Sequence, residues 1–320
     1  MPERLLKLGP LKLGTRRSPL ALAQAEEARA ALIAAHPGLL VELVPVTASG
    51  DKVQDRPLAE IGGKALWTKE LDAWLLAGTI DFAVHSLKDV ETIRPPELVI
   101  AAVLPREDVR DCLLLRQAQD ERICGLDALP PGARIGTSAP RRAALALRAR
   151  PDCSVVSFRG NVATRLAKLA AGEADATLLA KAGLNRLGLA DTGTPLDPRA
   201  WLPAPGQGAI AIECRTDNHT MRALLAAIDH MPSHQMVLAE RALLAALGGN
   251  CHSPIAVLTE AEGALLVMTA ALLSPDGAEE VRGEARFAPG NLAIVQALAA
   301  ELLERAGPAI REHFDPPGGD

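Results

Sequence analysis

An aspartate, a cysteine and a set of arginines are the residues of this chain best placed to do chemistry. Asp89 closes the run His85-Ser86-Leu87-Lys88-Asp89, which follows directly on Ile80-Asp81-Phe82-Ala83-Val84. The alternation of that second stretch reads as a short buried strand, so the polar run falls at a strand's carboxyl end, where open α/β sheets bind ligands. A carboxylate there can stabilise a developing cation and manage protons; taken alone, it would read as a turn residue or helix cap. Cys251 sits in G-G-N-C-H-S-P-I, where a glycine-rich kink can present a thiol. Gly-Thr recurs where a strand meets a helix, at Gly14-Thr15 before Arg16-Arg17 and at Gly136-Thr137 before Arg141-Arg142. Free amides at a helix start, joined by guanidinium groups, suit a ligand that carries several anionic groups. Arg159, Arg165, Lys168, Lys181 and Arg186 add to this density, although solvated helix faces are the bland reading of such clusters.

The elements that position these residues follow from pattern. Leu11–Leu13 reads as a strand, and Ser18-Pro19 caps an Ala-rich helix that stops at His36-Pro37-Gly38. A strand over 39–46 and a helix over 68–77 lead into the Asp89 stretch. Between them, a long irregular segment carrying Gly62-Gly63-Lys64 predicts a mobile loop over a site. A second unit repeats the plan: a strand over 133–136, a helix over 141–149 and a strand over 154–158. Gly172-Glu173-Ala174-Asp175 then echoes Gly78-Thr79-Ile80-Asp81. Two such βαβ units predict two similar α/β domains facing a cleft. After Trp201, P-A-P-G-Q-G-A-I-A-I-E-C-R is a Gly/Pro turn entering a strand that could return the chain to the first domain. From Asp229 the pattern becomes a small α+β domain with a final helix over about 291–306.

Composition narrows the function classes. The chain has 320 residues, 48% of them hydrophobic and 23% charged, as in an ordinary globular protein of two or three domains. Thirty-four basic against 39 acidic side chains give a net charge of −5, which argues against bulk nucleic acid as a partner. No apolar run has the length of a signal peptide or membrane span, so a soluble cytoplasmic protein is expected. Five cysteines with no C-x-x-C pair predict neither a disulfide framework nor a cysteine zinc site, and no metal is expected.

Eight motifs in order carry a resemblance to the porphobilinogen deaminase (hydroxymethylbilane synthase) family. They are T-R-R-S-P-L-A-L-A-Q, G-D-K with P-L-A-E-I-G-G-K-A-L-W-T-K-E-L, D-F-A-V-H-S-L-K-D-V, G-T-S-A-P-R-R, the basic spacing from Arg159 to Lys168, L-L-A-K-A-G-L-N-R-L-G, P-A-P-G-Q-G-A, and A-E-R-A followed by G-G-N-C-H-S-P-I. The resemblance implies two periplasmic-binding-protein-like (type II) α/β domains around a cleft plus a small C-terminal α+β domain. The first would comprise 1–105 with 206–228, the second 106–205 and the third 229–320. It implies a transferase of tetrapyrrole (haem) biosynthesis with a covalent dipyrromethane, held by a thioether to Cys251. Four porphobilinogen molecules would be added to that cofactor one at a time with loss of ammonia, and the linear tetrapyrrole hydroxymethylbilane released by hydrolysis. Asp89 matches the family's catalytic aspartate. Arg16, Arg141, Arg142, Arg159, Arg165 and Arg186 match positions that bind cofactor or substrate carboxylates. Ser18, Gln24, Lys64, Ser86, Lys88, Thr137, Ser138 and Gln207 match other cleft positions, and a monomer is implied.

Some positions depart from the family pattern. Glu60 stands where a lysine is frequent, Trp67 for a phenylalanine, Ala139-Pro140 for Ser-Leu, Asn250 for a glycine, and His252-Ser253 for Gln-Val. Two other classes share features with this reading. A solute-binding or effector-sensing module would have the two-lobed fold but no need of Cys251. A hydrolase using Cys251 with His252 would need adjacent residues to act as nucleophile and base, whereas such partners usually meet through the fold.

Overall fold

The computed structural model describes residues 9–46, 68–116, 125–250 and 252–316. Lys64, with the predicted loop around it, and Cys251 lie outside the described residues, as do Glu60, Trp67 and Cys124. The described residues fall into two compact units. One holds those before Asp108 together with Gly208–His234, and the other holds Asp108–Gln207 together with those from Gln235 onward. Thirteen strands, numbered in chain order, form three sheets among the described residues.

In the first unit, β1 (Leu11–Arg16), β2 (Val41–Val46), β3 (Phe82–Ser86), β4 (Leu98–Val103) and β10 (Ile210–Arg215) form a sheet of order β2-β1-β3-β10-β4. Strands β1, β2 and β3 are parallel, and β10 runs antiparallel to both β3 and β4. The second unit holds β5 (Asp111–Leu115), β6 (Arg134–Gly136), β7 (Ser154–Val156), β8 (Ala176–Ala180) and β9 (Thr194–Pro195) in the order β7-β6-β8-β5-β9. Again the first three are parallel and the fourth is antiparallel. The sheets therefore match strand for strand, as expected of two similar α/β units. In each, the antiparallel fourth strand belongs to a stretch separate from the parallel three.

The repeat has local physical causes. Leu11 and Leu13 are buried while Lys12 between them is exposed, the period-two pattern of a strand with one face on a core. A Cβ at Gly14 would lie 2.3 Å from Ile80 Cδ1 and displace that side chain; at the equivalent Gly136 it would lie 2.6 Å from the Phe158 ring. Gly78 and Gly172 both adopt positive φ, +68° and +77°, to turn the chain from a helix toward its strand. Three residues later the Asp81 carboxylate accepts the Lys12 amide at 2.7 Å, and the Asp175 carboxylate accepts the Arg134 amide at 2.9 Å. One aspartate thus locks β3 onto β1 and its counterpart locks β8 onto β6.

The C-terminal part of the second unit is an antiparallel meander, β11 (Ile255–Glu262), β12 (Leu265–Leu273) and β13 (Glu280–Phe287), with helices Leu292–Arg305 and Pro308–Arg311. Its alternation is apolar on both sides. Val257, Met268, Ala270 and Leu272 pack with Leu243, Leu298 and Leu302. Ala256, Leu258, Ala271 and Leu273 join Ile135, Ala144, Leu145 and Trp201 in the core of the second sheet. A helix, Met231–Ala246, precedes the meander. Its start is marked by Asp229, which bonds His234 Nδ1 and the Val103 amide at 2.8 Å each.

Candidate functional site

The carboxyl ends of β1 and β3 bring five of the expected residues into one pocket of the first unit. Arg16 ends β1. Ser18 caps the Pro19–Ala35 helix by accepting the Ala21 amide at 3.3 Å, and one turn on, the buried Gln24 takes a 2.9 Å hydrogen bond from the Ser86 hydroxyl. Ser86 ends β3, and the single 3-10 turn Leu87–Asp89 carries Lys88 and Asp89. Arg16, Ser18, Gln24, Ser86 and Asp89 line the pocket with Leu20, Ala21, Val84, Thr68 and His85. Ser18, Ser86, Lys88 and Asp89 are half-buried, so the pocket opens to solvent with a carboxylate and a guanidinium in its wall.

Behind this pocket lies a buried charge cluster. Glu213 is fully buried on β10, with Oε2 3.1 Å from His85 Nε2 on the neighbouring strand. Arg94 grips both Glu213 oxygens at 2.9 and 3.0 Å. Burial alone would raise the Glu213 carboxyl, but the His85 imidazole beside it and the charge of Arg94 hold it down at about 2.

The second unit presents its expected residues in two groups. Thr137 and Ser138 follow β6, Arg159 follows β7, Arg165 lies on the Val162–Ala170 helix, and Arg186 ends the Lys181–Arg186 helix that follows β8. Ser138 and Ser157 hydroxyls meet at 3.1 Å, and Arg165 Nε donates to the Gly160 carbonyl at 3.0 Å. Gly160 takes φ +104°, and Asn161 then caps the helix by accepting the Thr164 amide. These residues lie at the ends of the parallel strands, the counterpart of the Asp89 position on the first sheet. Where the family's serine is replaced, Pro140 takes the first helical position and Thr137 Oγ1 accepts the Ala139 amide at 3.2 Å.

Arg141, Arg142 and Gln207 form the other group, and the structure gives them a partner that the motif does not contain. Asp111, fully buried at the start of β5, accepts from Arg141 Nη2 at 2.7 Å and from Arg142 Nη2 and Nε at 2.7 and 3.2 Å. It also accepts from Trp201 Nε1 at 3.0 Å and Gln207 Nε2 at 2.8 Å. The remaining Arg142 nitrogen donates to the Leu178 carbonyl, and Arg141 Nη1 donates to that of Leu202. Both arginines are only 4% exposed. Both guanidinium groups thus neutralise a buried carboxylate, and every nitrogen of Arg142 has a partner within the protein. Burial would raise the Asp111 carboxyl, yet the two guanidinium charges hold it far below the ordinary range.

The residues flanking Cys251 are held from both sides. The Asn250 side chain accepts the His252 amide at 2.8 Å, and Ser253 Oγ accepts the Asn250 amide and donates to the His313 carbonyl at 3.0 Å. Partial desolvation lowers the imidazole of His252, which is otherwise exposed. Gly248, at φ +63°, is pressed so closely on the chain at Asp315 that a Cβ would lie 1.6 Å from the Asp315 carbonyl oxygen.

Sequence reasoning missed Asp111, Arg94, Glu213, Thr68 and His85 as parts of these arrangements. The available signal was an acidic residue at the edge of an apolar strand, in Asp111-Cys112-Leu113, or inside one, in Ala211-Ile212-Glu213-Cys214. A buried carboxylate requires a cationic or hydrogen-bonding partner.

Two repeated α/β sheets thus carry basic and acidic side chains at their strand ends, an arrangement suited to an anionic ligand. The family is set by comparison. The model of the porphobilinogen deaminase dipyromethane cofactor binding domain matches residues 11–223, and that of the porphobilinogen deaminase C-terminal domain matches 234–304. A porphobilinogen deaminase of Sphingopyxis alaskensis is 57% identical over 310 residues, covering 95% of this chain and 96% of the relative. One of Nitrobacter winogradskyi is 48% identical over 299 residues, covering 92% and 93%. The chain belongs to the porphobilinogen deaminase family. Among solved structures, an ancestral cationic amino acid solute-binding protein is similar at TM-score 0.44 and 14% identity, over 75% of this chain and 97% of that one. A likeness at that level is too loose to bear on function.

Proposed function

We propose that this chain is a transferase that condenses four porphobilinogen molecules head to tail, with loss of ammonia, and releases hydroxymethylbilane by hydrolysis. The observation that carries the reading is the pocket. Arg16, Ser18, Gln24, Ser86 and Asp89 come from separate stretches of the chain and share one wall at the carboxyl ends of β1 and β3.

Each residue has a task that its chemistry permits. The Asp89 carboxylate faces the positive charge that develops on a pyrrolylmethylamine as ammonia leaves, and it holds and returns the proton that moves in that step. The Gln24–Ser86 hydrogen bond fixes two polar groups beside it. Arg16 holds a carboxylate of the substrate, whose pyrrole carries acetate and propionate groups.

The donor set of the second unit fits a dipyrromethane with its several carboxylates. Arg159, Arg165 and Arg186 with the Thr137–Ser138 segment would hold it, and Cys251 would attach it as a thioether. When bound, the cofactor supplies the free pyrrole end onto which substrate is added. Arg141, Arg142 and Gln207 act from beneath, by fixing the helix start and β5 through Asp111. Lys64 and Lys88 belong to the same reading as further cationic partners. The working parts are then 1–105 with 206–228, carrying Asp89; 106–205, carrying the arginines; and 229–320, carrying Cys251. Among the described residues, no helix is long and apolar enough to cross a membrane. Action as a cytoplasmic monomer belongs to the same reading, as the family resemblance implies.

Intact mass of the purified protein beside Cys251→Ser tests the reading, with Asp89→Ala assayed on porphobilinogen. The expected result is an excess of two linked pyrroles, absent from Cys251→Ser, and an Asp89→Ala protein that folds but loses turnover. An unmodified wild-type mass that stays unmodified after incubation with porphobilinogen would move the assignment to a binding module.

A further inference from the structure

Arg94 is the hub of the cluster behind the Asp89 pocket, and nothing in the motifs marks it. Its side chain is 8% exposed. Nε donates to Glu213 Oε1 at 2.9 Å, Nη2 to Glu213 Oε2 at 3.0 Å and Asp72 Oδ1 at 2.5 Å, and Nη1 to Glu91 Oε2 at 3.2 Å and Thr68 Oγ1 at 3.3 Å. A guanidinium has five N–H donors, so these contacts use them all.

The partners are what give Arg94 a place in the reaction. Glu91 stands two residues after Asp89, on the segment that leaves the Leu87–Asp89 turn. Thr68 lines the pocket directly, and Glu213 reaches it through His85, the residue beside Ser86. One cation thus ties the chain behind Asp89, the residue at the start of the Lys69–Leu76 helix, and the histidine of β3 to a single strand, β10.

We propose that Arg94 is a positioning residue for the condensation, which through Glu213, Glu91 and Thr68 fixes the His85 ring and the segment carrying Asp89 in the pocket wall. The proposal rests on the reading of Asp89 as the catalytic carboxylate. A planar guanidinium holds divergent acceptors in fixed directions, whereas a lysine ammonium keeps the charge and offers three donors from one point. Arg94→Lys therefore removes the positioning and keeps the cation.

The test compares wild-type holoenzyme with Arg94→Lys by intact mass, urea midpoint, steady-state kinetics on porphobilinogen, and the His85 Nε2–H signal in 15N-labelled protein. The expected Arg94→Lys protein is folded and carries the cofactor. Its kcat falls about tenfold with KM little changed, and its His85 signal is shifted or lost to exchange. A folded, cofactor-bearing Arg94→Lys protein with wild-type kcat and an unmoved His85 signal would overturn the proposal. Should Arg94→Lys fail to fold, Glu213→Gln reads the same link, since its amide turns an N–H donor or a neutral oxygen toward His85; unchanged kcat there overturns the proposal equally. If wild-type protein neither carries the cofactor nor consumes porphobilinogen, the functional reading itself fails, while the His85 signal still reports whether Arg94 orders the pocket wall.

Discussion

Replacing Asp111 by asparagine removes one negative charge at nearly constant shape, and the consequence can be worked from its partners. Arg141 and Arg142, their side chains 5% exposed, would keep two positive charges in the interior with no carboxylate between them. The asparagine amide would also turn N–H donors toward a site where Arg142, Trp201 and Gln207 already donate. Breaking a buried pair from one side costs about 3–5 kcal/mol. At roughly 1–3 kcal/mol per molar of urea, the midpoint of the unit holding Asp111 should fall by about 1–5 M. Urea titration by far-ultraviolet circular dichroism measures this, and intact mass reports cofactor content in the same samples. Arg142→Leu should behave alike, losing stability first. A midpoint within about 0.3 M of wild type, with the cofactor gone, would refute the reasoning, because the arginines would then serve the ligand and not Asp111.

Two further perturbations probe other parts. Gly248→Ala puts a Cβ on the Asp315 carbonyl at a positive φ, so it should lower the melting temperature and raise hydrogen exchange in residues 308–316; an unchanged melt would contradict the contact. Glu213 contributes to pH-dependent stability. Its carboxyl, ordinarily near 4.5, is lowered to about 2 in the fold, so its stabilisation, roughly 3 kcal/mol, is fully present above pH 4.5 and is lost as pH falls toward 2. Urea midpoints taken across that range should flatten in Glu213→Gln, and equal slopes in the two proteins would contradict the shift.

The sequence made legible whatever is contiguous. The Ser18 cap, the Gly-Thr repeats and the run ending at Asp89 are local patterns, and each appears at a strand end as read. The echo of Gly78–Asp81 in Gly172–Asp175 also revealed the duplicated sheet, because both stretches solve the same problem of turning out of a helix and locking an aspartate onto the adjacent strand. What could not be read were partners distant along the chain. Arg94 and Glu213 are 119 residues apart, and Asp111 and Gln207 are 96 apart. Each pair meets because an antiparallel strand enters a sheet from a separate stretch. Arg141 and Arg142 show the limit: their motif is contiguous, but the buried carboxylate they pair with lies on β5 and carries no motif. The strand limits shifted for a similar reason. Ile80 reads as part of β3 but precedes it, packing its side chain over Gly14.

Trp201, whose indole N–H ends on the Asp111 carboxylate, has an optical consequence. The chain has three tryptophans and no tyrosine, so its near-ultraviolet emission comes almost wholly from Trp67, Trp74 and Trp201. Trp74 packs against the apolar cluster of Leu71, Leu75 and Ile80 in the first unit, and Trp201 is buried in the second. With Trp67 changed to phenylalanine, each unit would carry one indole of its own, and the unfolding of either could be followed by its own fluorescence without any attached dye.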